Sequence, residues 1–285
     1  MKQSKTKIST PIALTIAGSD SGGGAGIQAD LKAFSALGVY GASVITAITA
    51  QNTRAVTAVH AIPNDMVSAQ IDAVFDDIQV NAVKIGMLAS PEIIQAVFSS
   101  IGTFDGPVVL DPVMVAKSGD KLLHDHAIQC LKELLLPKSA LLTPNLPEAG
   151  VLLGCAPAAS EQEMLRQGRA LLDLGAGAVL MKGGHADGPD CVDLLISRAN
   201  HPYRLTSRRQ KTRNTHGTGC TLSSAIAACL ARGMELNDAV KTAHEYLRKA
   251  IIAADSLNIG RGHGPVHHFH ESWSSTMRYS TDNHQ

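Results

Sequence analysis

Short apolar runs alternate with longer helical patterns along almost the whole chain, and this alternation restricts the possible folds more than any single motif. Runs that predict strands cover 12–17, 42–48, 56–62, 82–87, 108–111, 140–143, 178–182, 191–196 and 203–206, the last two as a hairpin. Helical patterns cover 25–37, 64–77, 91–101, 125–136, 146–154, 161–174, 218–232 and 237–255. This order predicts an α/β fold with a mostly parallel central sheet and helices on both faces.

The composition agrees with buried parallel strands. Hydrophobic residues make up 45% of the 285 residues but aromatic residues only 4%, so Ala, Val, Ile and Leu must build most of the core. Such cores suit parallel strands covered by helices. The chain shows no internal repeat and no linker-like break. We therefore expect one domain at 11–270, with flexible ends at 1–10 and 271–285.

Charge and cysteine content exclude several classes of function. Lys plus Arg and Asp plus Glu balance at 25 each, so no basic surface for nucleic acid is expected. The five cysteines form no C-x-x-C pair and are odd in number, which favours reduced thiols. The first ten residues lack the apolar stretch of a signal peptide, and no later segment is suited to span a bilayer. We expect a cytoplasmic protein without nucleic-acid or membrane partners.

A glycine-rich segment, AGSDSGGGAG at 17–26, follows the first predicted strand and precedes a helix. Glycines let a backbone approach a ligand closely, and the carboxyl edge of a parallel sheet is where ligands bind. No Lys-Ser/Thr follows the final glycine, so this is not a Walker A loop, and G-x-G-x-x-G fits only loosely from Gly24. The segment is either a ligand-approach loop or a flexible turn.

A second glycine pair, Gly217 and Gly219, opens the small-residue helix near 218–232. Free N–H groups and the positive end of the helix dipole would meet there, which predicts an anion hole for a transferring phosphoryl group. Cys220 lies in the first turn, where we expect the pKa of its thiol to fall. The alternative is a tight turn beside a small buried cysteine.

Polar side chains also follow three other predicted strands. Asn145 and Glu148 lie three residues apart at a helix start, so both can face one cleft, and Asp111 ends a strand. Oxygen ligands of this kind suit magnesium. Lys182 ends a strand before two glycines and can meet phosphate oxygens. An ordinary helix start and a solvated lysine are the alternatives.

Together these segments resemble the ribokinase-like superfamily, most closely the hydroxymethylpyrimidine/phosphomethylpyrimidine kinases of thiamine biosynthesis. The resemblance covers about 12–270, with the motifs AGSDSGGGAGIQAD at 17–30, ITAITAQN at 45–52, KIGML at 84–88, DPVM at 111–114, TPNLPE at 143–148, MKGGH at 181–185 and HGTGCTL at 216–222. The histidine-rich GPVHHFH at 264–270 also resembles that family, which argues against a metal site there.

The resemblance implies roles for individual residues. Around a pyrimidine ring it implies Gly18, Asp30, Gln51, Met87 and Val113. It implies Cys220, Gly217, Gly219 and Lys182 for catalysis, Asn145, Glu148, Lys182 and Thr218 for ATP, and Glu148 and Asp111 for Mg²⁺. Many sugar kinases of the superfamily carry Asp as a base where this chain has Cys220. The family also implies a homodimer.

The implied reaction is phosphorylation of 4-amino-5-hydroxymethyl-2-methylpyrimidine by ATP, and then of its monophosphate. Pyridoxal kinase is the nearest alternative because it acts on a similar hydroxymethyl ring. A non-catalytic pyrimidine-binding module is the alternative from another class. Segment 115–122 is a candidate lid over the substrate.

Overall fold

One sheet forms the centre of the molecule. The computed structural model describes residues 9–114, 125–184 and 188–273. Within these ranges, nine strands pair in the order β3-β2-β1-β4-β5-β6-β7-β8-β9. They are β1 (Ile12–Asp20), β2 (Tyr40–Gln51), β3 (Val56–Ala61), β4 (Ala82–Ile85), β5 (Val108–Leu110), β6 (Leu141–Leu142), β7 (Ala178–Lys182), β8 (Asp190–Ser197) and β9 (Tyr203–Arg208). The strands from β2 to β7 in this order are mutually parallel, and the β2–β3, β7–β8 and β8–β9 pairs are antiparallel.

Helices cover both faces of this sheet. They are α1 (Gly26–Ala36), α2 (Asn64–Asp77), α3 (Pro91–Ser100), α4 (Asp125–Cys130), α5 (Leu146–Leu153), α6 (Glu161–Asp173), α7 (Thr218–Ala231) and α8 (Leu236–Ile252). A π-helical turn, Leu131–Leu135, continues α4, and a 3₁₀ turn, Ala254–Ser256, follows α8. The predicted single helix at 125–136 is thus α4 followed by this turn.

Alternate strand residues face two separate cores. Val108 and Leu110 of β5 pack in the core formed with α2 to α6, whereas Val109 packs in the core formed with α1, α7 and α8. This period of two is the consequence of strand geometry. The structure therefore confirms the predicted α/β fold with a mostly parallel sheet and helices on both faces.

The first two strands extend further than the sequence predicts. β1 continues past a register shift at 17–19 to Asp20, and β2 continues to Gln51, with Asp20 opposite Thr49. Parallel pairing resumes beyond the irregularity, where β2 holds one residue more than β1 between the pairs Ala17–Ile45 and Ser19–Ile48. The glycine-rich segment therefore begins inside the sheet, and Gln51 lies on a strand rather than in a loop.

The end of the described chain packs on the fold. Trp273 stacks on Phe269 with ring centroids 5.7 Å apart, and Lys249 donates to Glu271 at 2.8 Å. Residues 271–273 of the predicted flexible tail are therefore attached. Residues 274–285, residues 1–8 and the candidate lid at 115–122 lie outside the described residues. Among the helices of the described segments, none combines the length and apolar character needed to cross a membrane.

Candidate active site

A cavity of about 700 Å³ opens at the carboxyl edge of the parallel strands. It is bounded by the ends of β1, β2, β5 and β7 and by the start of α7, where α/β sheets bind ligands. Twelve of the thirteen residues proposed from the sequence line it: Gly18, Gln51, Met87, Asp111, Val113, Asn145, Glu148, Lys182, Gly217, Thr218, Gly219 and Cys220. Residues distant in the chain thus share one cavity.

The first turn of α7 supplies positive potential to the cavity. No side chain caps this helix, so the N–H groups of Gly219 and Cys220 stay available for an anion, whereas the Thr218 N–H donates to Thr215 O at 3.4 Å. Gly217 has φ +78°, and a Cβ there would overlap the carbonyl oxygen of Gly24. A Cβ on Gly219 would instead lie 3.5 Å from Lys182 Nζ. Gly217 therefore lets two loops meet, whereas Gly219 keeps space open beside the ammonium.

Lys182 forms an ion pair with Asp111 at the floor of the cavity. Lys182 Nζ donates to Asp111 Oδ1 at 2.9 Å, and Ser223 donates to Oδ2 at 3.2 Å. Burial opposes both charges, but Asp111 and Glu148 raise the pKa of Lys182, and Lys182 with Lys84 lowers the pKa of Asp111. Both groups are therefore charged at neutral pH. The solvated-lysine alternative is wrong, since the Lys182 side chain is only 13% exposed.

Asn145 and Glu148 form a capping box at the start of α5. Asn145 Oδ1 accepts from the Glu148 N–H, and Glu148 Oε2 accepts from the Asn145 N–H, both at 2.8 Å. Burial, with a smaller contribution from Asp111, raises the pKa of Glu148 to about 7. Its Oε1 has no hydrogen-bond partner among the described residues and faces the cavity side of α5.

Glu148 is the side chain that fits magnesium best, because only one of its two oxygens accepts a hydrogen bond among the described residues. The described ranges hold no group of three or more His, Cys, Asp or Glu side chains placed to bind a metal. Asp111 Oδ1 accepts from both Lys182 and Thr143, whereas Oδ2 has only the 3.2 Å contact with Ser223 and keeps a lone pair, so direct binding of Mg²⁺ by Asp111 stays a prediction. Magnesium commonly takes one or two carboxylates plus water and substrate phosphates, and the free oxygen of Glu148 meets that requirement.

The pKa of the Cys220 thiol is raised, whereas the sequence predicts that it is lowered. The amide of Gly26 donates to its sulfur, and Lys84 lies near it. Burial nevertheless dominates and raises the pKa of the Cys220 thiol to about 11. The helix start does not compensate for lost solvation. The structure therefore corrects the prediction: Cys220 is a neutral thiol at physiological pH.

Asp30 does not lie in the cavity, where the resemblance places it beside a pyrimidine ring. It is fully buried behind the cavity wall, and its carboxylate pairs with the equally buried Lys84 at 2.8 Å. Thr15 Oγ1 donates to it at 2.6 Å, and Ser224 donates to the other oxygen. These partners occupy the carboxylate, so the structure corrects the prediction and gives Asp30 a supporting place beneath the site.

The glycine-rich segment wraps around its own carboxylate. Asp20 accepts hydrogen bonds from the amides of Gly22, Gly24 and Ala25 at 2.8–3.0 Å, and from His216 at 2.9 Å. These amides are therefore not free to bind phosphate. The segment is therefore not a flexible turn but a closed loop held by an internal anion, and its residues Gly18, Ala25 and Gly26 line the cavity, as the ligand-approach alternative predicts.

Several residues at the site escaped the sequence reasoning. Asp20, Lys84 and His216 lie within the quoted motifs but received no role, and Thr143 and Ser223 support Asp111. An acidic residue at the end of a strand, inside a glycine run, was the available signal for Asp20. Nothing in the sequence places His216 against it, because the two residues are 196 positions apart.

Comparison with known proteins identifies the group to which this site belongs. The phosphomethylpyrimidine kinase family matches residues 20–267. A hydroxymethylpyrimidine/phosphomethylpyrimidine kinase from Rhizobium meliloti is 59% identical over 93% of this chain and 99% of its own. The structure of phosphomethylpyrimidine kinase from Clostridium difficile has a TM-score of 0.75 and 47% identity, covering 84% of this chain and 99% of its own.

A second group of solved structures has the same fold. Pyridoxal kinase from Staphylococcus aureus, in complex with AMP-PCP and pyridoxal, has a TM-score of 0.85 at 33% identity, covering 93% of this chain and 95% of its own. Identity is thus higher to the pyrimidine kinases than to this fold relative. With its family match and a site that joins an anion hole to a lysine–carboxylate pair, the chain is a phosphotransferase of the phosphomethylpyrimidine kinase family.

Proposed function

We propose that this protein transfers the γ-phosphoryl group of ATP to 4-amino-5-hydroxymethyl-2-methylpyrimidine and then to the resulting monophosphate, in thiamine biosynthesis. One observation carries the proposal: the Lys182–Asp111 pair lies beside the uncapped start of α7 in the same cavity as Gln51, Met87 and Val113. Charge for a phosphoryl group and a half-apolar wall for a ring therefore meet in one space.

The pyrimidine end is formed by Gln51, Met87, Val113 and Gly18. An aminopyrimidine presents a donor and an acceptor on one edge, and the Gln51 amide offers both in return. A Cβ on Gly18 would lie 3.2 Å from the Met87 sulfur, so glycine leaves room for a flat ring against this side chain. Val113 supplies further apolar surface.

The phosphate end uses positive charge more than acid–base chemistry. Lys182 and the N–H groups of Gly219 and Cys220 would hold the transferring group in place, and Thr218 begins the helix that presents them. Asn145 fixes the start of α5, and Glu148 would hold Mg²⁺ partly through water. Bound magnesium would neutralise charge on the ATP phosphates. From there the cavity continues along β8, β9 and α8, with Leu247 and Ile251 as apolar surface for an adenine base.

The absence of a thiolate agrees with two successive acceptors. The pyrimidine monophosphate is mostly doubly ionised at neutral pH, because its second pKa is about 6, so it needs no base. The alcohol can react through a loose transition state in which positioning dominates. A neutral Cys220 is therefore compatible with the monophosphate step, which needs no base, whereas in the alcohol step the hydroxyl proton passes to an oxygen of the transferred phosphoryl group or to water.

The proposal also includes the oligomeric state and the cellular location of the protein. A homodimer is supported by the family resemblance. A cytoplasmic location is supported by thiols that form no disulfide within the described residues. Sedimentation analysis of the purified protein checks the oligomeric state.

Phosphorus NMR of the products tests the reaction. Purified protein with Mg-ATP and the hydroxymethylpyrimidine should yield first the monophosphate and then the diphosphate, with matching ADP. Lys182→Met should reduce kcat by about 10²–10³-fold, because one preorganised charge on the transferring group is lost. Lys241→Met, the same change at an exposed position of α8, serves as the control. No ADP with the wild-type protein would favour a binding module without catalysis.

Pyridoxal remains a second substrate to rank, since a pyridoxal kinase shares this fold. The kcat/KM for pyridoxal should be lower than for the hydroxymethylpyrimidine, because the Gln51 amide matches an aminopyrimidine edge. A higher value for pyridoxal would reverse the assignment.

A further inference from the structure

Two polar side chains in the cavity face each other without a direct hydrogen bond. Asp193 lies on β8 and His244 on α8, and both line the cavity. His244 Nε2 lies 4.0 Å from Asp193 Oδ2, which is too long for a hydrogen bond, and the two side chains are only 14% and 13% exposed. A single oxygen atom between them can lie about 2.8 Å from both atoms. The gap is therefore wide enough for one hydroxyl group or one water molecule.

The carboxyl group of Asp193 is held at one oxygen and open at the other. Its Oδ1 accepts from the Gly183 N–H at 2.8 Å, and β7 and β8 pair Lys182 directly with Asp193. A Cβ on Gly183 would overlap Val192 O, so glycine keeps the end of β7 against β8. Among the described residues, no hydrogen bond reaches Oδ2. One oxygen is thus used by the fold, and the other is left for a ligand.

A hydroxyl group suits both forms that Asp193 can take. Burial raises the pKa of Asp193 above its ordinary value. A hydroxyl donates to a carboxylate while it accepts from a neighbouring N–H, and it accepts from a carboxylic acid while it donates to an unprotonated ring nitrogen. Neither ring nitrogen of His244 makes a hydrogen bond within the described part of the chain, so this neutral ring can adopt the tautomer that completes either contact.

The position of the pair along the cavity indicates which hydroxyl group would reach it. On one side lies Lys182, at the phosphate end, as the strand partner of Asp193. On the other side lie Leu247 and Ile251, which follow His244 on the same face of α8 and form the apolar surface for the base. A nucleotide carries its ribose between its phosphates and its base. The pair therefore lies at the level of the ribose.

We propose that Asp193 and His244 form a ribose-recognition pair that binds one hydroxyl group of the nucleotide and discriminates ribonucleotides from deoxyribonucleotides. This inference rests on the proposed function, which places the phosphates at Lys182 and the adenine base on α8. A nucleotide that lacks this hydroxyl would leave a polar atom unpaired on each side of the gap. Sites built to bond a hydroxyl group reject ligands that lack it for this reason.

Isothermal titration calorimetry with Mg-ADP, Mg-2′-deoxy-ADP and Mg-3′-deoxy-ADP tests the inference. The binding of ADP needs no pyrimidine, so the measurement is independent of the acceptor that the protein phosphorylates. The wild type should bind at least one of the two deoxy nucleotides about tenfold more weakly than ADP, because a hydrogen bond to a half-enclosed carboxyl group is lost. Equal dissociation constants for the three nucleotides would overturn the inference and leave the gap to a water molecule.

His244→Leu removes one side of the pair without breaking a hydrogen bond of the described fold. The variant should bind ADP more weakly but the discriminated deoxy nucleotide as the wild type does, so the ratio of their dissociation constants should fall at least about threefold. His126→Leu, the same change at an exposed position of α4, is the control and should keep the wild-type ratio. An equal loss for both nucleotides would give His244 a packing role only and overturn the inference.

His244→Phe keeps an aromatic ring at this position and decides the question if His244→Leu does not fold; it should lower the same ratio. A wild-type protein that binds no adenine nucleotide refutes the proposed function and this inference together. Binding of ADP without discrimination refutes this inference alone. Discrimination by a protein that forms no phosphorylated pyrimidine refutes the proposed acceptor and supports the ribose pair.

Discussion

Asp30→Asn separates the two roles that sequence and structure assign to this residue. The change removes the carboxylate charge but leaves Lys84 buried, with its side chain 0% exposed and without its counter-ion. The new amide also replaces one of the two acceptor oxygens by an NH2 donor, which faces either Thr15 or Ser224, both donors in the native arrangement. Breaking a fully buried ion pair by removing one partner costs about 3–5 kcal/mol. Since domains are stable by about 5–15 kcal/mol, this is a large fraction of the total.

Urea denaturation followed by circular dichroism measures this loss. The matched control is Asp173→Asn, because Asp173 pairs with Arg198 on the surface with side chains 75% and 62% exposed. Exposed pairs contribute about 0–1 kcal/mol, so the control should unfold almost like the wild type. The double change of Asp30→Leu with Lys84→Met should recover most of the loss, because neither charge is then left unpaired.

The pH dependence follows from the direction of the lysine shift. Burial would lower the pKa of Lys84, but Asp30 and the other neighbouring negative groups raise it above its ordinary 10.5. A raised pKa means that the contribution to stability is complete below pH 10.5 and is lost as the pH rises through the folded value. The contribution of Lys84 to the stability of the wild type should therefore be constant around neutral pH. An unchanged unfolding free energy with a raised KM for the pyrimidine would refute this reasoning and restore Asp30 as a ring ligand.

Three further predictions concern the cavity and its supports. Burial raises the pKa of the Cys220 thiol to about 11, so iodoacetamide at neutral pH should modify Cys220 at least roughly tenfold more slowly than the exposed Cys155. Peptide mass spectrometry measures the two rates, and equal rates would contradict a neutral Cys220 thiol. Gly217→Ala should abolish most activity, because its Cβ overlaps a neighbouring carbonyl, whereas Gly233→Ala, with φ +80° and nothing within 4 Å, should cost only about 1 kcal/mol of stability. His268→Ala should lower both the melting temperature and kcat, because His268 Nε2 lies 2.9 Å from Thr221 Oγ1 in the first turn of α7. A lower melting temperature with an unchanged kcat would show that His268 contributes to packing but not to the active site.

Much of the fold follows from local patterns that do not depend on distant residues. Each of the nine predicted strands is present, because periodic burial and short length are properties of the segment itself. Placement of chemistry at the carboxyl edge also follows, because parallel strands end on one side. Gln51 and Lys182 share a cavity for this reason.

The ends of the strands were predicted less well. β1 and β2 pair beyond their apolar centres, so their last residues are held by each other rather than by hydrophobic periodicity. Gln51 consequently lies on a strand rather than in a loop.

The sequence by itself determined the fold class, the family and most of the residues that line the cavity, because these depend on local periodicity and on ordered motifs. Only the tertiary structure decided the ionisation of Cys220, the burial of Asp30 and the closing of the glycine loop on Asp20. Those properties depend on solvent exclusion and on hydrogen-bonding groups brought together across nearly two hundred positions, as in the Asp30–Ser224 and Asp20–His216 contacts. A helix start favours a thiolate, but burial opposes it more strongly, and burial exists only once the chain has folded.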